Sequence, residues 1–338
     1  MTNLQLLWFL LIGVLFSGFF FLEGFDFGVG MAIRFFAKDR AERDVIIKTI
    51  GPHWDGNEVW LITAGGAMFA SFPMWYASLF SGYYIVLFLI LVALIFRGVS
   101  FEFRANMKTV QWRNFWEWAA TIGSFCAAFL FGMMFTSMIQ GVPLNANGDI
   151  SGTLTTYVNW FSLVGGVAVT LMCFIHGMNF LQLKTTGEIR DRAQSWNKVL
   201  YPLLIVGEVL FVVLLFVTTD FFERKAASTW TILIVLVILT LIAWWGVYGK
   251  HNWMAFAASG LSLVSVVVLI FNGLFPRVMI GVNNVNSILI KNASSTPYTL
   301  HLMTILTLTI LPIVLIYFIW SYWVFYKRLK SPSQKAES

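Results

Sequence analysis

Gly51-Pro52-His53-Trp54-Asp55-Gly56-Asn57-Glu58-Val59-Trp60 opens an apolar run that continues from Leu61 to Phe72. Asp55 and Glu58 are three residues apart and share one face if the stretch is helical. Pro52 suits a first helical turn, where its missing N–H costs no hydrogen bond. Acids near a helix N-terminus also complement the helix dipole, so a capped helix entry accounts for part of this pattern. In a membrane helix the weighing changes, because ionisable groups there are costly and mark function by default. The preceding apolar segment carries a second acidic stretch, Glu23-Gly24-Phe25-Asp26-Phe27-Gly28-Val29-Gly30. These two stretches define the candidate site.

Composition supports the membrane setting. Hydrophobic residues make up 59 % of the 338 and charged residues 11 %, against roughly 25 % charge in a soluble domain. Mean hydropathy is +0.78. Cys126 and Cys173 both lie in apolar runs, which excludes a disulfide framework and a paired-thiolate motif. Met1 to Leu11 carries no basic n-region, so the first segment is expected to be a retained span.

A span needs about 20 apolar residues. Nine segments qualify, at roughly 5–33, 53–72, 76–97, 117–139, 157–183, 199–219, 229–248, 254–275 and 299–325. With these spans, 18 of the 22 Lys and Arg fall on one side, and only Arg224, Lys225, Arg277 and Lys291 on the other. Short loops so biased face the cytoplasm. The N-terminus is therefore expected outside and the C-terminus inside. The same asymmetry accounts for the net charge of +6 without a nucleic-acid partner. The chain is read as one transmembrane domain over 1–338. The two long outer loops, about 140–156 and 276–298, contain turn residues and Asn283-Asn284; the tail from Ser331 to Ser338 is polar and expected to be disordered.

Depth ranks the acids. Asp26 precedes Arg34 by eight residues, about 12 Å along a helix axis. Glu23 lies one turn deeper on the same face. Asp55 and Glu58 enter the second span from the same side, and consecutive spans with a short connection usually pack together. Four carboxylates then line one cytoplasm-facing cleft. Without nearby cations or water, like charges at low dielectric hold protons and can relay them; the rival view is a set of hydrogen-bonded acids that lock helix packing. Arg97, at the inner end of the third span, either pairs with one of these acids or snorkels. Trp54 and Trp60 flank the acids as structural or access residues. Gly24, Gly28 and Gly30, and Gly65-Gly66 with Ala64 and Ala67, read as close helix packing. Among the histidines His53, His176, His251 and His301, only His176 looks deep, and it has no second deep histidine to share a metal with. Glu208 sits mid-span and must be protonated, paired or facing a cavity.

The two acidic stretches together resemble subunit II of cytochrome bd-type quinol oxidases. Phe96-Arg97-Gly98-Val99-Ser100-Phe101-Glu102-Phe103-Arg104, Trp112-Arg113 and Gly141-Val142-Pro143 are similar to the same family in the same order. The resemblance covers the whole chain. It implies an all-α integral membrane fold of nine spans, as two four-helix bundles plus one peripheral helix. On that pattern 1–140 holds the first bundle, 141–275 the second, and 276–338 the outer loop, last helix and cytoplasmic tail. It further implies pairing in a bacterial cytoplasmic membrane with a homologous subunit I that carries haem b and haem d and oxidises quinol. The complex would reduce O₂ to water with cytoplasmic protons. Subunit II itself would hold no haem, in some members a structural quinone, and the complex leaves room for a small accessory subunit. Asp26, Asp55, Glu58 and Glu23 become proton-pathway candidates; some relatives carry Gln where this chain has Glu58. Two other classes also place acids in spans. A proton-coupled secondary transporter would show inverted repeats and broken midplane helices, and neither is evident. A structural membrane scaffold would use the acids for packing alone.

Reporters fused after Ser338 or within 184–198 are expected to sit in the cytoplasm, and a reporter within 141–156 outside. An external C-terminus would contradict both the odd span count and the depth order.

Overall fold

The computed structural model describes residues 1–332; the rest of the expected tail, 333–338, lies outside the described residues. Helix α1 (Asn3–Phe35) starts at a capping box, in which the Thr2 hydroxyl accepts from the Gln5 amide while the Gln5 side chain accepts from the Thr2 amide. Next come α2 (Arg40–Ile50), capped by Asp39, α3 (Trp54–Ser71), α4 (Pro73–Gly82) and α5 (Tyr84–Asn106). They are followed by α6 (Val110–Gln140), α7 (Leu154–Tyr157) and α8 (Trp160–Lys184). Then run α9 (Glu188–Thr218), α10 (Phe221–Tyr248) and α11 (Asn252–Leu274). Two short antiparallel strands, β1 (Arg277–Met279) and β2 (Ile288–Leu289), precede α12 (Ile290–Ala293) and α13 (Pro297–Val324).

Among the described residues, eight helices are long and apolar enough to cross a membrane: α1, α5, α6, α8, α9, α10, α11 and α13. Helix α3 falls outside that set because of its polar first turn. Its 18 residues nevertheless cover about 27 Å, and it runs back along α1. Asn57 lies beside Asp26, Trp60 lies across Gly18, and the Ser71 carbonyl accepts from Ser295 N at 2.8 Å. That last contact is at the end of the molecule where Gln5 donates to Ser294. Counting α3, the described chain makes nine passes.

The expected third span, 76–97, is misplaced. Phe72 leaves helical geometry and Pro73 starts the separate short helix α4. Trp75 of that helix is buried against Phe9, Phe72 and Phe271, so the apolar run there caps the end of the bundle. The crossing begins at Tyr84 and ends at Asn106.

Helices α1, α3, α5 and α6 form one four-helix group and α8 to α11 a second, with α1 packed against α8 and α11 as well. Helix α13 is peripheral, and Leu300 is its one buried residue. Aromatic rings tie α1 to both groups: Phe16 meets Phe135 and Phe19 meets Phe131, each at 5.3 Å, on α6 of its own group, and Phe9 meets Phe271 of α11 at 5.1 Å. Gly28 faces the backbone of Cys173 and Gly177, Gly30 faces Ser124, and Gly24 faces Leu263. Small residues let membrane helices approach this closely. The expectation fails for Gly65 and Gly66, which have no neighbour within 4 Å where a Cβ would project; Ala64 alone of that group is buried.

Both ends are tied by polar contacts. At the outer-loop end, Val142 N donates to Ile280 O at 2.8 Å, so the two long loops pair with each other. Arg277, buried, donates twice to Asp220, at 2.6 and 3.0 Å. Burial works against the Asp220 charge, but Arg277, Asn284 and Arg224 outweigh it and hold that carboxyl below its usual range. At the opposite, arginine-rich end, Glu117 gathers Arg34, Arg43 and Arg104, and Arg192 clamps Glu42 with two bonds. The tail does not leave the fold at Ser331. Leu329 N donates to Lys184 O at 2.8 Å, Thr186 N donates to Leu329 O at 3.0 Å, and the buried Ser331 hydroxyl accepts from Ile189 N.

Gly28→Ala places a methyl group against backbone that has no room to yield, a cost of about 1–3 kcal/mol. A lower melting temperature of the purified protein is expected for Gly28→Ala, while Gly207→Ala, with open space at its Cβ position, melts like the parent.

Candidate functional site

The helical pitch of α1 puts Glu23 and Asp26 on one face, and the return of α3 along that face brings in Asn57 and Glu58. Helix α5 supplies the cation. Arg97 is fully buried, with Nη1 at 2.5 Å from Glu23 Oε1 and 2.6 Å from Glu58 Oε1. Its guanidinium also lies over Phe27 at 5.1 Å and Phe101 at 5.7 Å. Asn57 donates to Asp26 Oδ2 at 2.6 Å. Glu23 and Asp26 stand three residues apart on one face of α1, both wholly buried. Glu23 Oε2 and Asp26 Oδ1 have no donor of their own.

Of the four carboxylates expected in one cleft, Glu23 and Glu58 pair with Arg97, and Asp26 lies beside them, held by Asn57. Asp55 does not join them. It is exposed in the first turn of α3, with Oδ1 accepting from Gly56 N at 2.8 Å. Glu58, its side chain 21 % exposed, lies between Asp55 and the buried pair. The acids thus run from surface to interior as Asp55, Glu58, then Glu23 with Asp26. Arg97 pairs and does not snorkel, so the acids are not a repelling set without a cation. Trp54 packs on Phe101 and covers Gly98, while Trp60 lies between Gly18 and Phe318. Both close the sides of the cluster by packing.

Asn57 and Tyr322 were not singled out from sequence. The Tyr322 hydroxyl donates to Asn57 Oδ1 at 2.9 Å from 265 residues away. Nothing local in the sequence marks that contact. Glu117 likewise carries no sequence signal of its role, since its arginine partners lie in segments whose charge reads only as loop bias.

His176 is the deep histidine, and its ring is fully engaged. Nδ1 is 2.8 Å from Ser259 Oγ, Nε2 is 3.0 Å from Phe21 O, and the ring stacks on Phe256. Neither nitrogen points a free lone pair at a metal, so His176 does not fit a haem ligand. Among the described residues, no group of three or more His, Cys, Asp and Glu could hold a metal ion. Glu208 accepts from Thr240 at 2.7 Å and borders an apolar cavity of about 480 Å³ between α6, α8, α9, α10 and α11.

Comparison with known proteins matches residues 4–325 to the family described as Cytochrome bd terminal oxidase subunit II. The chain is 43 % identical over 330 residues to cytochrome bd ubiquinol oxidase subunit 2 of Bacillus subtilis (strain 168), covering 97 % of this chain and 98 % of that one. It is 35 % identical to cytochrome bd-I ubiquinol oxidase subunit 2 of Escherichia coli (strain K12), covering 89 % and 88 %. A chain of the bd oxidase structure from Geobacillus thermodenitrificans shares the fold, with a TM-score of 0.75 at 15 % identity over 96 % of this chain and 97 % of that one.

Removing Arg97 leaves Glu23 and Glu58 without their cation, and breaking a buried pair costs about 3–5 kcal/mol. Arg97→Ala is expected to fail to accumulate in membranes on immunoblots, and Arg97→Lys, which keeps the charge, to accumulate better. Parental levels of Arg97→Ala would show that the pair does not hold the fold.

Proposed function

Because this chain belongs to the cytochrome bd terminal oxidase subunit II family, we propose that its Arg97-centred acids carry protons through the membrane subunit of a quinol-oxidising, oxygen-reducing complex. The haem of that complex belongs to the partner, subunit I, as haem b and haem d. It supplies the electron transfer and oxygen chemistry. No step of that chemistry passes through this chain, whose one deep histidine is committed to Ser259 and Phe21. The complex resides in a bacterial cytoplasmic membrane, and the arginine-rich end faces the cytoplasm, in keeping with the loop charges.

The observation that carries the proposal is one buried guanidinium paired with two carboxyls, Glu23 and Glu58, with a third, Asp26, buried three residues from Glu23 on the same helix face. Full ionisation would leave two uncompensated charges at low dielectric, a state membrane interiors do not tolerate. Electroneutrality is met when the cluster holds two protons. A proton shared between Glu23 and Asp26 satisfies the oxygens that otherwise lack a donor. Asp55, exposed at the mouth, collects protons. Glu58 stands one turn further along the same helix face. Asp26 and Glu23 receive the proton inside, while Arg97 keeps each transfer close to neutral charge. The quinol and O₂ sites belong to subunit I.

Asp55→Asn keeps size and hydrogen-bonding capacity but cannot ionise. The variant complex is expected to assemble with full haem content and to lose quinol oxidase turnover by roughly tenfold or more. Asp55→Glu retains more activity than Asp55→Asn, and Glu58→Gln is milder. Parental turnover in a haem-replete Asp55→Asn complex would remove Asp55 from the route.

A further inference from the structure

The peripheral helix is hydrogen-bonded to the cluster through Tyr322. Tyr322 on α13 donates its hydroxyl to Asn57 Oδ1 at 2.9 Å, and Asn57 Nδ2 donates to Asp26 Oδ2 at 2.6 Å. A carboxamide has one accepting and one donating end. With the phenol on the accepting end, the amide can present only its NH₂ to Asp26. A flipped amide would set oxygen against carboxylate oxygen.

The phenol itself is held from two sides. His53 stacks on the Tyr322 ring at 4.0 Å and 5° between planes, and Phe318 packs at 5.5 Å. Burial, with the Lys184 charge second, pushes His53 down to about 4 against the opposing pull of Asp55, so the stacking ring is neutral near pH 7. Just past α13, Lys184 donates to the Phe325 carbonyl and Leu329 bridges Thr185, which anchors this end of the helix. The rest of α13 is loosely held, so this contact is not a by-product of dense packing.

We propose that Tyr322 is a positioning residue for Asp26: it locks the Asn57 amide in the sense that donates to the Asp26 carboxyl, and so makes the seating of α13 a condition for proton transfer. The inference rests on Asp26 being part of the proton route. It assigns to the peripheral helix a task that its scant burial does not suggest.

The test uses the purified, haem-replete complex. The redox-induced infrared difference spectrum identifies the Asp26 carboxyl band as the one lost in Asp26→Asn. Tyr322→Phe keeps the ring and its stack on His53. It is expected to shift that band and lower turnover by up to about tenfold, the effect of one lost hydrogen bond between neutral groups. The exposed Tyr317 on the same helix provides the control, and Tyr317→Phe leaves both readouts unchanged. Asn57→Ala removes the group through which Tyr322 acts. In that background, adding Tyr322→Phe is expected to cost nothing further, the non-additivity of a serial contact. An unshifted band and parental turnover in Tyr322→Phe, with Asp26→Asn impaired, would overturn the positioning role alone. Additive losses in the double variant would overturn it as well. Parental turnover in Asp26→Asn is a separate result, independent of Tyr322, and would overturn the route and this inference together.

Discussion

A guanidinium with no solvent-exposed surface cannot exist in a membrane protein without counter-charge, and Arg97 therefore dictates what surrounds it. Glu23 comes from α1, Glu58 from α3, and Arg97 from α5, so the ion pairs tie three consecutive passes of the first bundle at one depth. The same contacts leave the cluster with more acid than base. Stability requires the cation, and the excess acid is what the proposed proton exchange would use. A structural lock and a relay are therefore compatible roles for Glu23 and Glu58.

Helix α1 carries this cluster and also joins the two bundles. Its glycines permit close contact with α8 and α6, while its phenylalanines fill the junction with α6 and α11. The acids occupy the half of α1 where these glycines lie. Close backbone approach there excludes lipid and keeps Glu23 and Asp26 fully buried. Toward the arginine-rich end, exposure rises from the buried Glu23 and Asp26 through Glu58 to Asp55.

Much of this is legible in the sequence. The all-helical membrane-spanning architecture follows from segment length and hydropathy, which are properties summed over many residues. The start of the third pass was not legible, because the apolar run around Trp75 has the same hydropathy whether it crosses the membrane or caps the bundle. The acids stood out because charge in a span is rare. Arg97 stood out for the same reason, but its choice between pairing and snorkelling depends on burial, which spacing does not encode. Asn57 and Tyr322 did not stand out: neutral polar residues near span ends are common, and their contact closes across nearly the whole chain. Gly65-Gly66 carried a packing signature that the fold of this chain does not use.

On the proposed route, protons consumed by the complex enter through the acids around Arg97. Proton uptake during a single turnover of the reconstituted complex with O₂, followed beside haem oxidation in the same sample, addresses it most directly. With Asp26→Asn, the account predicts that uptake from the side of the arginine-rich end slows strongly, while the haems first react with O₂ at the parental rate. Uptake that keeps pace with the parent in that variant would contradict it.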